Sequence, residues 1–130
     1  MSSASKILLV DDDPGVRASL KFSLELEGFA VDPFESGEAL ADMPDFPDAA
    51  CLVLDYRLPG MDGLSLLALL RRRGSALPAI IITGSVSRGI RAQAARAGAM
   101  LIEKPLLCDA LTAAIRLLVQ NPVTPTGEMK

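Results

Sequence analysis

The sequence predicts an α/β domain in which a parallel sheet carries helices on both faces. Five short apolar runs alternate along the 130 residues with five helix-forming stretches. Short, right-handed crossover connections make the strands of such a repeat parallel and place helices on both sides of the sheet. All the strands then end at one edge of the sheet, which is where ligands bind in this class of fold.

The predicted strands are short runs rich in Ile, Leu, Val and Ala. They lie at residues 7–10, 29–34, 49–54, 78–83 and 99–102. Pro33 near the end of the second run indicates an edge strand, because proline has no amide hydrogen to give to a neighbouring strand. The third run is apolar on both faces and therefore predicts a central strand.

The predicted helices begin at capping residues and end at glycines or before polar segments. Four of them lie at residues 14–27, 63–73, 87–97 and 109–120. The remaining one, second in chain order, begins at residue 36 and is followed by a loop at 42–48. Asp13 before Pro14 is a favourable start for the first helix. Arginines 71–73 at the end of the third helix complement its dipole, which we favour over a nucleic-acid patch.

Composition excludes several classes of function. The chain has no histidine, which excludes zinc sites and triads built on histidine, and its net charge is −3 with 4% aromatic residues, which disfavours nucleic-acid binding. No apolar run approaches the roughly 20 residues that span a bilayer, and no signal peptide precedes the first strand, so we expect a cytoplasmic protein. One domain is expected at residues 6–120, between disordered segments 1–5 and 121–130. Cys51 and Cys108 are expected to act as small buried hydrophobic residues.

Polar residues of complementary type follow four of the five strands. Asp11 and Asp12 follow the first strand, Asp55 the third, Thr83 the fourth and Lys104 the fifth. Close carboxylates repel each other, and a hard divalent cation such as Mg²⁺ relieves that repulsion. A lysine and a hydroxyl can bind the oxygens of an anion. The set therefore predicts transfer of a phosphoryl group to an aspartate.

Each of these residues has an ordinary interpretation when it is taken alone. Asp12 and Asp13 could cap the first helix, and we prefer that role for Asp13. Thr83 could be a common strand-end residue, and Lys104 a solvated surface lysine. Their joint order at the ends of four strands favours a functional site.

The motifs at these strand ends resemble the receiver domain of two-component response regulators, most closely its FixJ-type branch, over residues 6–120. The matching stretches are LVDDD at 9–13, LDYRLPGMDG at 54–63, ITG at 82–84 and EKP at 103–105. The resemblance implies a flavodoxin-like (βα)5 sheet with strand order 2-1-3-4-5. It also implies phosphoryl transfer from a histidine kinase or a histidine phosphotransfer protein, without any enzymatic activity beyond promoting the domain's own phosphorylation and dephosphorylation.

The resemblance assigns a role to each site residue. Asp55 is the expected phosphoacceptor, and Thr83 and Lys104 are expected to hold the phosphoryl oxygens. Mg²⁺ is expected on Asp12, Asp55 and the backbone carbonyl of Arg57, while Asp11 acts mainly through water. The bond between Lys104 and Pro105 is expected to be cis.

Two features depart from the family pattern and affect how the signal leaves the domain. Leu101 stands where the family has an aromatic switch residue. Arg88, Arg91 and Arg96 make the fourth helix basic, so it is either a solvated face or a docking face for an acidic partner. We expect an unknown output protein on the face of helix 4, strand 5 and helix 5, with no direct contact to nucleic acid or membrane. A homodimer formed on phosphorylation is left open.

Other functions remain as alternatives to a stand-alone receiver. The chain could be the receiver part of a larger DNA-binding regulator. A haloacid-dehalogenase-like phosphatase needs an acid two residues after its aspartate, where this chain has Arg57. A flavin- or nucleotide-binding protein needs a phosphate-binding loop where aspartates 11–13 would repel phosphate. A phosphorylation-independent interaction module would normally have lost one of the five site residues.

Overall fold

The computed structural model describes residues 5–43, 49–105 and 108–120. The strands are β1 Lys6–Val10, β2 Ala30–Phe34, β3 Cys51–Asp55, β4 Ala79–Thr83 and β5 Ala99–Glu103. The helices are α1 Pro14–Leu26, α2 Gly37–Ala41, α3 Gly63–Arg72, α4 Arg88–Arg96 and α5 Cys108–Gln120. All ten predicted elements are present and differ from the prediction only at their ends. The predicted disordered segments, except for Ser5, and most of the predicted loop at 42–48 lie outside the described residues.

The five strands form one parallel sheet in the order β2-β1-β3-β4-β5. This confirms the flavodoxin-like order, the edge position of the strand that contains Pro33 and the central position of β3. All five residues of β3 are buried. The order places the ends of β1, β3 and β4 side by side, with β5 next to β4.

Two hydrophobic layers cover the two faces of the sheet. Leu8 and Val10 point into a core shared with α2, α3 and α4, whereas Ile7 and Leu9 point into a core shared with α1 and α5. Leu64, Leu67 and Leu70 recur at helical spacing along α3, and all three are buried. Each buried side chain of this size stabilises the fold by about 1.5–3 kcal/mol. The two helical layers thus enclose both faces of the sheet.

Side-chain hydrogen bonds from capping residues and arginines stabilise several helix ends. Asp13 caps α1, with Oδ1 accepting hydrogen bonds from the amides of Gly15 and Val16, which confirms the role preferred from the sequence. Arg71 donates to the carbonyl of Ala97 at 2.9 Å, and Arg73 donates to the carbonyl of Ala41. These arginines therefore join the end of α3 to the ends of α4 and α2, in addition to complementing the helix dipole.

Burial of the single described thiol agrees with the sequence interpretation. Cys51 lies in β3 with no exposed surface, and burial raises the pKa of its thiol to about 12. A thiol with so high a pKa is not a nucleophile at neutral pH. The side chain of Cys108 lies outside the described part. Within that same part, no helix combines the length and the apolar character that a membrane crossing requires.

Candidate functional site

The ends of four strands bring the predicted site residues together. Asp11 and Asp12 directly follow β1, Asp55 and Thr83 are the last residues of β3 and β4, and Lys104 directly follows β5. One carboxylate oxygen from each of the three aspartates lies within 4.8 Å of the others. Nζ of Lys104 lies 3.4 Å from Oδ1 of Asp55. The structure thus gathers three acidic groups and one cation at a single point.

Two of the three carboxylates are poorly solvated. Asp11 and Asp55 are 4% and 6% exposed, whereas Asp12 is exposed. Burial raises the pKa of Asp11, the charges of Asp55 and Asp12 act in the same direction, and the amide of Asp13 and the charge of Lys104 oppose them. Among the described residues, Oδ1 of Asp55 is buried without a hydrogen bond. A cluster of three carboxylates with an unsatisfied oxygen fits a hard divalent cation such as Mg²⁺.

The turn after β1 is held by three hydrogen bonds to Asp11. Its amide donates to the carbonyl of Phe34, its Oδ1 accepts from the amide of Asp13 at 2.9 Å, and its carbonyl accepts from Nη1 of Arg17 at 2.7 Å. Sequence reasoning did not identify Arg17. The residue stands six positions after Asp11, and only the fold of α1 back toward the strand end brings its guanidinium to that carbonyl.

The loop after β3 lies close against Asp55. A Cβ atom on Gly63 would overlap the carbonyl oxygen of Asp55, and the amide of Gly63 donates to the carbonyl of Tyr56 at 2.8 Å. Gly60 has a φ of 84°, a conformation that favours glycine. The sequence Pro-Gly-Met-Asp-Gly therefore serves to turn the chain tightly beside the aspartate.

An open cavity of about 500 Å³ adjoins this loop. Its lining includes Asp12, Arg57 and Asp62, together with Tyr56, Leu58 and Pro59. Arg57 is exposed and lines the same cavity as Asp12. The cavity gives solvent and small solutes a route to Asp12.

Thr83 is buried and engaged with the residue two positions later. Its hydroxyl donates to the carbonyl of Ser85 at 3.0 Å, and its hydroxyl oxygen accepts from the amide of Ser85 at 3.2 Å. The carbonyl of Thr83 accepts from the amide of Lys104 at 2.8 Å, and the bond from Lys104 to Pro105 is cis, as the resemblance implies. Ser85, which the sequence did not single out, thus connects Thr83 to the loop before α4.

Leu101 lies in the middle of β5, beside Ile81 of β4. Its side chain is partly buried against the core beneath α2, α3 and α4. The residue that replaces the aromatic switch position therefore takes part in core packing. A leucine there offers no hydroxyl and less area than an aromatic ring would.

Residues 7–116 match the response regulator receiver domain family. The chain belongs to that family. Receiver domains of this kind are signalling modules of two-component systems, and the match covers all of the strands except Lys6, the first residue of β1, and all of the predicted site residues. The predicted fold, family and receiver function are therefore confirmed.

Similar proteins include transcription regulators that are longer than this chain. The chain is 35% identical to the transcriptional regulatory protein FixJ of Bradyrhizobium diazoefficiens, over 93% of this chain and 60% of that protein. It is 40% identical to the C4-dicarboxylate transport transcriptional regulatory protein DctD of Rhizobium meliloti, over 89% of this chain and 25% of that protein. The chain thus spans less than two thirds of the length of FixJ and about a quarter of that of DctD.

Solved receiver structures share the fold closely. A CheY-like receiver domain from Methanospirillum hungatei superimposes with a TM-score of 0.82 at 30% identity, over 91% of this chain and 95% of that one. Full-length FixJ from B. japonicum gives a TM-score of 0.82 at 34% identity, over 93% of this chain and 61% of that one.

Proposed function

We propose that this receiver accepts a phosphoryl group on Asp55 from a phosphohistidine donor. The observation that carries the proposal is the environment of the Asp55 carboxylate. One of its oxygens is buried without a hydrogen bond, faces the ammonium group of Lys104, and lies in a cluster with two more carboxylates. A carboxylate is already ionised at neutral pH, so the reaction needs no separate base.

The transfer is a displacement at phosphorus. An oxygen of Asp55 forms the new bond to phosphorus while the bond from phosphorus to the donor imidazole nitrogen breaks, and that nitrogen keeps the electron pair. The charge of Lys104 stabilises the equatorial oxygens, and the hydroxyl of Thr83 can turn from Ser85 to donate to one of them. The product is an aspartyl phosphate and a free histidine.

The three aspartates are the groups that would hold Mg²⁺. Asp12 and Asp55 would hold the ion directly together with the backbone carbonyl of Arg57, and Asp11 would contribute mainly through water. Bound by these groups, Mg²⁺ would supply positive charge against the negative charge of the phosphoryl oxygens. The hard oxygen donors of the cluster support this choice over softer metals.

The phosphodonor is a histidine kinase or a histidine phosphotransfer protein. A groove of about 780 Å³ between α1 and α5 reaches Lys104 and Gly84, with Val16, Leu20 and Leu111 among its lining residues. Such an apolar recess beside the phosphoryl site suits the surface of a protein donor.

The output passes through protein contacts on the face of α4, β5 and α5. When Thr83 turns toward the phosphoryl group it releases Ser85, which lies two residues before the cap of α4. Leu101 can change its rotamer but cannot provide the hydroxyl of an aromatic switch residue. We therefore assign the first step of the response to the loop before α4.

The test is modification by a small phosphodonor in the presence of Mg²⁺. Intact-mass spectrometry after incubation with phosphoramidate should show one added phosphoryl group in the wild-type protein and none in Asp55→Asn. Asp32→Asn, at the distant edge strand, is the matched control and should be modified like the wild type. Equal modification of Asp55→Asn would refute the assignment.

The same domain can serve in two contexts. It can act as a stand-alone receiver, or as the receiver part of a longer DNA-binding regulator like those that it resembles. Its cytoplasmic location and a homodimer formed on phosphorylation stay predictions.

A further inference from the structure

Charge is unevenly distributed along this chain. Residues 63–102, which form α3, β4, α4 and most of β5, contain six of the thirteen basic residues and none of the sixteen acidic ones. This segment carries a charge of +6, while the remainder, with seven basic and sixteen acidic residues, carries −9. The domain therefore has one basic side within an acidic protein.

The fold gathers this charge on one surface. α3 and α4 cover the same face of the sheet, and the hydrogen bond from Arg71 to the carbonyl of Ala97 joins their ends. Five exposed arginines define what we call the basic α3–α4 surface: Arg72, Arg73, Arg88, Arg91 and Arg96. The three on α4 extend over about 12 Å of helix, given a rise of roughly 1.5 Å per residue.

The arginines of α4 form no ion pair within the described part of the chain, and neither does Arg72. In contrast, Lys6, Lys21 and Arg116 are paired with Asp32, Glu25 and Glu27. Several basic groups outside the surface therefore lie beside an acidic partner, whereas none of these four arginines does in the described part of the chain.

We infer that the basic α3–α4 surface docks an acidic segment of a partner protein. Complementary charge speeds association and selects the partner, and arginine is enriched in protein interfaces. Gly89 and Ala92 are exposed between the arginines, so a partner backbone can approach α4 closely. A nucleic acid fits less well, because the −9 charge of the remaining chain repels a long polyanion.

The inference that the acidic partner is the output protein rests on the proposed function. Binding itself needs no phosphoryl group. A failure of phosphorylation at Asp55 and a failure of acidic docking would therefore be seen in separate experiments on the same protein.

The experiment measures binding of a fluorescent peptide of ten glutamates to the unphosphorylated wild-type protein. Fluorescence anisotropy at about 25 mM salt should show binding that weakens as salt rises, since screening grows with ionic strength. Arg88→Gln/Arg91→Gln should weaken binding about fivefold or more, as expected for the loss of two charge contacts. Amide chemical-shift changes on peptide addition should concentrate in α4 and at the end of α3.

The matched control is Lys6→Gln/Lys21→Gln, which lowers the net charge by the same amount elsewhere. It should change peptide affinity less than twofold, and both double variants should be phosphorylated like the wild type. Equal weakening by both variants would overturn the inference, since net charge alone would then explain binding. So would an absence of peptide binding, or tighter binding to a DNA duplex or to anionic lipid vesicles than to the peptide.

Discussion

The ammonium group of Lys104 lies 3.4 Å from Oδ1 of Asp55, and it does so across the gap between the ends of β5 and β3. Strand β4 separates these two strands, so the contact spans two strand spacings. The oxygen has no hydrogen-bond donor in the described part of the chain. An ion pair that leaves the anion otherwise unsatisfied keeps that oxygen available for another positive or electrophilic group.

Replacing Lys104 by Met should separate metal binding from phosphoryl binding. Loss of a cation beside three carboxylates should raise Mg²⁺ affinity about threefold to tenfold. Phosphoramidate-dependent modification should fall about 100-fold, because the phosphoryl oxygens lose their fixed positive charge. Fluorescence of Tyr56, the single tyrosine in a protein without tryptophan, reports the Mg²⁺ titration.

Lys21→Met is the control for this prediction, since it removes an exposed lysine from α1 away from the site. It should change neither quantity by more than about a factor of two, in line with the small effect of exposed charges. If Lys104→Met weakens Mg²⁺ binding together with phosphorylation, the division of roles is wrong.

Replacing Asp11 by Asn should stabilise the metal-free protein. Burial and neighbouring carboxylates raise the pKa of Asp11, so its ionised form costs folding free energy at neutral pH. In EDTA the variant should gain about 1 kcal/mol in the free energy of unfolding, or about 3 °C in Tm. With saturating Mg²⁺ the wild type should match or exceed it, because ion binding stabilises the wild type more.

Glu35→Gln, an exposed carboxylate between β2 and α2, is the comparison variant for differential scanning calorimetry. It should leave Tm within about 1 °C of the wild type under both conditions, as is usual for surface changes. A loss of stability for Asp11→Asn in EDTA would show that its hydrogen bond to the amide of Asp13 outweighs the charge repulsion.

The fold and the set of candidate site residues could be predicted from sequence because both follow local rules. Pro33 marked an edge strand, the apolar run before Asp55 marked a central one, and parallel strands then fixed which ends meet. The contacts that hold the site could not be predicted in this way. Arg17 donates a hydrogen bond to the carbonyl of Asp11, and Thr83 donates one to the carbonyl of Ser85. Both bonds form only because the turns of the folded chain bring these groups together.

The helical spacing of apolar residues does not by itself show which side chains are buried. Val16, Leu20 and Leu24 recur at helical spacing, yet Val16 is 39% exposed while Leu24 is buried. Val16 lies in the first turn of α1 and lines the groove that reaches Lys104. It is exposed because it forms part of the wall of that groove. A pattern of apolar residues cannot distinguish a core position from the wall of a groove.

Replacing Gly63 by Ala should disturb Asp55 through the backbone. The added methyl group would overlap the carbonyl oxygen of Asp55, so the start of α3 or the end of β3 must move. We expect a loss of about 2 kcal/mol in urea denaturation, typical of overpacking, and a parallel loss of Mg²⁺ affinity. Gly89→Ala in α4, where the methyl group has space, should instead stabilise the protein by about 0.5–1 kcal/mol. Unchanged stability of Gly63→Ala would mean that the loop adjusts freely around Asp55.

Arg17 should support metal binding by holding the backbone of Asp11 in place, and not through its own charge. Its guanidinium donates to the carbonyl of Asp11 but makes no ion pair with a described carboxylate. Charge alone predicts that Arg17→Met raises Mg²⁺ affinity, because a cation is removed near the site. If the hydrogen bond holds the acidic turn in place, affinity should fall about tenfold, a loss typical of groups that orient metal ligands.

Arg17→Lys separates the two effects, because it keeps the charge and one possible donor. Its Mg²⁺ affinity, read from Tyr56 fluorescence, should lie between those of the wild type and Arg17→Met. Lys21→Met removes the same charge one turn further along α1 without touching Asp11, and its affinity should stay within about twofold of the wild type. The unfolding free energy in EDTA shows whether Arg17→Met affects the whole fold or the turn. A Mg²⁺ affinity for Arg17→Met that equals or exceeds the wild-type value would contradict the positioning role, since the acidic turn would then keep its geometry without this hydrogen bond.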